Sequence, residues 1–213
     1  LSDYFGKYAD FQTISKKDAG QLLGADNMIG DVLDIVCELD GGKHCAWLVN
    51  RFSKRIGMLD PSVSREISLA AAREMETRAV LSFVAFTDHP DEGHYWGQVA
   101  IICYAKSCED AFGQFIKHVS KMMADGTRIA VNLGNDAIAR IIESNGEWLP
   151  TQTISMPEKT KGTAIVKSRR SITDKLIETG RTGNKGCFVV SWVFLLALVT
   201  VLIFGLKSCF FSA

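Results

Sequence analysis

Apolar and polar positions alternate along this chain in blocks of two periods, and one block has no polar period at all. Ser15-Lys-Lys-Asp18 is a capping-box pattern that predicts a helix carrying Leu22 and Leu23. Ile29, Val32, Leu33 and Val36 fall at helical spacing, which predicts a second helix from about Asp26 that stops at Asp40-Gly41-Gly42. "CAWLVNRF" and "RIGML" read as strands that pair with each other. Asp60 followed by Pro61 is an N-cap with proline at the first helical position, opening "PSVSREISLAAAREM". "AVLSFVAF" and "WGQVAIICYA" are near-continuous apolar runs, as in strands buried on both faces, joined by the loop "TDHPDEGHY".

A strong stripe follows. Phe112, Phe115, Ile116, Val119, Met122 and Met123 line one face of a helix capped by Ser107 and Asp110 and ended by Gly126. "RIAVNL" predicts a strand, "NDAIARIIES" a helix ending at Gly146, and "EWLPTQTIS" an extended segment. This order predicts an α/β (or α+β) fold, a single mixed-sheet domain over residues 1–156 with helices packed on it. Residues 157–186 are rich in Pro, Gly, Ser, Thr, Lys and Arg, with "SITDKLIET" as one short helix, and read as a juxtamembrane linker.

The block without polar period is Gly186–Leu206, 21 residues with no charge, 14 of them Phe, Val, Leu or Ile. As a helix it is about 31 Å long, against a hydrocarbon core of about 30 Å. Those 14 side chains favour insertion by about 4–8 kcal/mol. Ser191 and Thr200 can bond back to their own helix, and Trp192 suits an interface. The expectation is one transmembrane helix over 187–206 with a short tail, 207–213, in the manner of a tail-anchored protein whose partner is the lipid bilayer.

Charge gives the orientation. Residues 1–149 hold 15 Lys/Arg against 21 Asp/Glu, whereas 150–186 hold 8 against 3. Lys167, Arg169, Arg170, Lys175, Arg181 and Lys185 precede the apolar run and Lys207 alone follows it, which places the N-terminal domain in the cytoplasm. The same six form a basic, lipid-facing linker able to meet anionic lipid head groups. An acidic body has no footprint for nucleic acid. Cys37, Cys45, Cys103, Cys108, Cys187 and Cys209 form no CxxC pair and read as free thiols.

Little points to catalysis. His89, Asp91, Glu92 and His94, beside Asp88, have a composition able to bind a divalent metal, but two histidines with four residues between them on a loop define no coordination geometry, and the expectation is a solvated, charged connection between two strands with no metal. His44 falls in a strand and His118 on the Met-rich helix. No nucleophile elbow, Walker loop, dinucleotide fingerprint or HExxH is present.

The run from Val99 to Trp148 resembles the second half of the coenzyme A-dependent N-acetyltransferases, and "NDAIARIIESNG" resembles the Asn-x-x-Ala to Gly stretch that closes many of them. That resemblance implies a pyrophosphate cradled on backbone amides at a helix N-terminus, which falls at "KSCEDAFGQ". The turn has one glycine and carries Glu109 and Asp110, and Ile142 stands where the family often has tyrosine. The leading expectation is therefore a membrane-anchored binding or interaction module of unknown cofactor. The alternative is a membrane-tethered, degenerate N-acetyltransferase-like enzyme.

Overall fold

The computed structural model describes residues 4–13, 19–88, 93–158 and 160–181, together with Phe194, Leu196, Val199 and Thr200. The chain divides into one compact unit, Leu1–Arg170, and a second, Ser171–Ala213.

The first unit is built from β1 (Tyr4–Gln12), α1 (Ala19–Leu23), β2 (Val32–Asp40), β3 (Lys43–Val49), β4 (Arg55–Leu59), α2 (Pro61–Ala71), β5 (Met75–Thr87), β6 (His94–Ala105), a 3-10 turn (Lys106–Cys108), α3 (Glu109–Ala124), α4 (Asn135–Glu143) and β7 (Thr163–Lys167). Every strand pairing is antiparallel. The order β2-β3-β4-β1-β6-β5 returns to β2 through Leu33 opposite Ala79, so six strands close into a barrel-like sheet. Mixed strand and helix was expected; a closed antiparallel ring was not.

The ring closes because Val32–Asp40 is a strand and not the expected helix. Leu33, Ile35, Cys37 and Leu39 alternate with Val32, Asp34, Val36 and Glu38, so the segment satisfies a period of two as well as the helical spacing. The deciding feature is Gly41-Gly42, both at positive φ (53° and 78°), between the paired Asp40 and Lys43. Two central residues at positive φ make the tight hairpin turn that strand twist prefers. The glycines that looked like a helix stop are a hairpin tip.

Residues opposite each other across a ladder share a face. Phe11 lies opposite Gly97, and a Cβ at Gly97 or Gly57 would stand 2.7 or 2.5 Å from its ring. Those two glycines leave the room that Phe11 fills inside the barrel. The seam between β1 and β4 is short, with only Phe11–Leu59 and Gln12–Met58 in register. α2 leaves the sheet there. Asp60 caps it through the Ser62 amide (3.1 Å), as expected from Asp-Pro. Buried Ser64 replaces a lost rung, its Oγ accepting from the Ala46 amide (3.1 Å) and donating to the Leu59 carbonyl (3.1 Å). Lys7 and Glu66 tie α2 back to β1 at 2.6 Å.

α3 lies on the outer wall. Phe112 stacks between Tyr4 and Tyr104 at centroid distances of 5.3 and 5.0 Å. Its expected Ser107 and Asp110 cap is not made; Cys108 is the N-cap residue without a side-chain bond. "RIAVNL" does not join the sheet either, contributing one bridge, Ile129 to Thr153. Its carbonyls go elsewhere. Tyr4 Oη donates to Val131 O (2.6 Å) and Tyr8 Oη to Ile129 O (2.8 Å), so side chains of β1 hold the segment against the barrel.

β7 is drawn from the stretch read as linker. β5 shifts register between Leu81 and Phe83, pairing through 78–80 with β2 before the shift and through 84–87 with β7 after it. The compact unit thus runs to Arg170 rather than ending at residue 156.

In the second unit, α5 (Ile172–Arg181) is the short helix expected from "SITDKLIET". Most of the apolar run lies outside the described residues. Within it, Thr200 Oγ1 donates to Leu196 O (2.7 Å), the back-bond expected of that threonine, and Phe194 and Leu196 are 68% and 59% exposed. Among the described residues, no helix is long and apolar enough to cross a membrane.

Candidate functional site

The shift in β5 frees Ser82 from the ladder, and its Oγ accepts from Arg128 Nε at 2.9 Å. Arg128 is 5% exposed, unusual for a charged side chain. Its other nitrogens donate to Gln98 Oε1 and to the Ser155 carbonyl. The guanidinium also lies 4.5 Å from the centroid of the Tyr8 ring. Desolvation lowers its pKa, an effect opposed by Tyr8 and Asp10. A planar five-donor fork fits this set of acceptors, and the compact ammonium of lysine does not.

Gln98 carries the arrangement outward. Its amide nitrogen donates to Asp10 Oδ1 (2.8 Å), so a buried cation orients a carboxylate at the surface through one amide. Asp10 borders a cavity of about 270 Å³, lined also by Gln12, Thr87, His94, Trp96 and Thr163. Trp96 Nε1 donates to Thr87 Oγ1 (2.9 Å), which is 2.9 Å from Thr163 Oγ1, itself 2.8 Å from Thr160 Oγ1. β1, β5, β6 and β7 thereby meet at one end of the barrel wall. A carboxylate, an amide and an imidazole beside an indole can bind a small polar ligand; they hold no nucleophile paired with a base.

Of the sequence-derived metal candidates, His94 is the first residue of β6 and reaches this cavity, while His89, Asp91 and Glu92 lie outside the described residues. Among the described residues no group of three or more His, Cys, Asp or Glu could hold a metal ion. His118 serves packing: its Nδ1 is 3.1 Å from Gly146 O. Cys37, Cys45, Cys103 and Cys108 are free thiols. No local sequence signal marks Asp10, Gln12, Trp96 or Thr163, because three separate strands bring them together.

The basic segment divides. Lys167 Nζ donates to Gly24 O (2.8 Å) and Asn27 O (3.2 Å). Arg170 donates through Nε to Ile29 O (2.8 Å) and through its guanidinium to Asp31 Oδ1 (2.9 Å), with both side chains 13% exposed. These two cations clasp β7 to the loop before β2 and do not face outward. Arg169 is exposed at the Gly126 turn, Lys175 and Arg181 belong to α5, and Lys185 lies outside the described residues.

At the turn on which the acetyltransferase resemblance rests, a 3-10 turn leads into α3 and Glu109 accepts from the Tyr104 hydroxyl at 2.7 Å. The strand expected at "RIAVNL" is not in the sheet. Compared with known proteins, the chain matches no family model, no curated protein and no solved structure.

Proposed function

We propose that this chain is a barrel domain held at a membrane by its C-terminal apolar segment and displayed in the cytoplasm as a binding module. The observation that carries the reading is Gly186–Leu206, an uncharged run of about one bilayer thickness preceded by six cations and followed by one. The outward-facing Phe194 and Leu196 suit a lipid surround. The cavity bordered by Asp10, Gln12, His94 and Trp96 is the ligand contact of this reading, because its polar groups converge on one concave place. The lipid bilayer is the partner of the tail, and anionic head groups are a second contact for Arg169, which stands between the clasped Lys167 and Arg170, and for Lys185.

Sidedness tests it. In sealed membranes from cells expressing the full chain, protease added to the cytoplasmic face should digest residues 1–186. Protease confined to the opposite face should leave them intact. Protection in the opposite sense would reverse the orientation.

A further inference from the structure

α5 specifies its own start. The Ser171 amide donates to Asp174 Oδ2 (2.9 Å) while the Asp174 amide donates to Ser171 Oγ (3.1 Å), a reciprocal cap closed by aspartate in place of the usual glutamate. At a helical turn of about 100° per residue, Ile172, Leu176, Ile177 and Thr179 share one uncharged arc, and Asp174, Lys175 and Glu178 stand opposite. Thr179 does not interrupt the apolar arc, because its hydroxyl donates to Lys175 O (2.9 Å). Ile172 is 81% and Leu176 68% exposed, an aliphatic pair one turn apart facing outward.

What covers that pair follows from where the helix stands. Four residues, 182–185, separate it from the uncharged run, a reach of at most about 14 Å. With the run in the bilayer, α5 is confined to the membrane interface. Within α5, Asp174 and Glu178 balance Lys175 and Arg181, so its own charge gives no attraction to anionic lipid.

We infer that α5 is an interfacial helix, lying in the plane of the bilayer with Ile172 and Leu176 among the acyl chains, and that it binds by apolar contact irrespective of head-group charge. The inference rests on the anchor reading above. It replaces a floating, salt-sensitive linker with a fixed contact between α5 and the lipid surface.

The test uses the full chain in neutral phosphatidylcholine vesicles, with a benzophenone-bearing residue at position 172, 176, 178 or 194 in turn. Lipid adducts are counted after irradiation. Positions 172, 176 and 194 should label severalfold more than 178, with no change at about 1 M salt, where electrostatic range shrinks to about 3 Å, or on adding anionic lipid. Labelling at 194 without 172 and 176, or equal labelling at 178, would overturn the interfacial helix while the anchor stands. Adducts at 172 and 176 that need anionic lipid or vanish in salt would return the contact to electrostatics. Adducts at none of the positions would overturn the anchor and the inference together.

Discussion

Raising the pH from about 9 to 11 should cost the barrel on the order of 5 kcal/mol of stability, a large share of a typical total of about 5–15. Four acids are the cause, three buried and one half-buried. Desolvation pushes Tyr4 well above its ordinary value of 10.0, with Cys103 adding to it. Desolvation raises Tyr104 likewise, reinforced by Glu109, which accepts a hydrogen bond from its hydroxyl. Tyr8 is pushed up to about 12 by desolvation, against the pull of Arg128. Cys103 is pushed up to about 12 by desolvation, then by Cys37 and Glu66.

All four pKa values are raised in the fold, so the folded chain keeps protons that the unfolded chain sheds. The stabilisation is complete below the unfolded values of 9.0 and 10.0 and is lost as pH climbs toward the folded ones. Each group contributes about 1.4 kcal/mol per pH unit in that window, less for half-buried Tyr8. Denaturant midpoints of the full chain in mild detergent should fall steeply above about pH 9.5. Local opening that exposes Tyr4 and Tyr8 lets them ionise and withdraws the donors from Val131 O and Ile129 O, so the segment around Arg128 should loosen first. A midpoint that is flat to about pH 11 would mean that these hydroxyls are not buried as described.

Replacing Arg128 should have the second largest effect. Arg128→Met keeps the stem but leaves Ser82 Oγ, Gln98 Oε1 and Ser155 O without their donor. Unsatisfied buried acceptors cost about 1–3 kcal/mol each; with Gln98 near the surface, the expected loss is about 2–4 kcal/mol. Arg128→Lys should recover only part of it, since one ammonium cannot serve three acceptors in divergent directions. Denaturant unfolding of the three chains measures both. A loss below about 0.5 kcal/mol in Arg128→Met would place the guanidinium in water.

How much of this was legible depends on which force set each element. α2, α3, α4, β3, β4, β5 and β6 stand near where the pattern put them, because Asp60-Pro61, the Phe112–Met123 stripe and two long apolar runs are local signals. The helical spacing of Ile29, Val32, Leu33 and Val36 predicts a helix, but Leu33, Ile35 and Cys37 also fit a period of two, and the Gly41-Gly42 hairpin together with closure against β5 selects the strand. β1 gave no signal. Its Lys7 and Asp10 break the apolar pattern, yet each finds a partner, in Glu66 and Gln98. "RIAVNL" has strand composition, but among the described residues its backbone bonds reach only Gln152 and Ile154, and two of its carbonyls accept from tyrosine hydroxyls some 120 residues earlier.

The candidate site was legible in one residue. His94 stood out beside its acidic neighbours, but the cavity it enters is completed by Asp10, Gln12 and Trp96, which only the sheet register brings together. The basic segment misled in a different way. Composition cannot distinguish a cation facing lipid from one donating to the chain's own carbonyls, and Lys167 and Arg170 are of the second kind.

The central claim is that the barrel is held at a membrane by the segment beyond its own fold, and fractionation tests it most directly. The full chain and a chain ending at Arg170 are expressed in the same cells, and membranes are washed with high salt before both fractions are probed. The account predicts that the full chain stays with the membranes and that the shortened chain, which retains every element of the barrel, moves wholly to the soluble fraction. A shortened chain that remains membrane-bound after the wash, or a full chain that is released by it, would contradict the account.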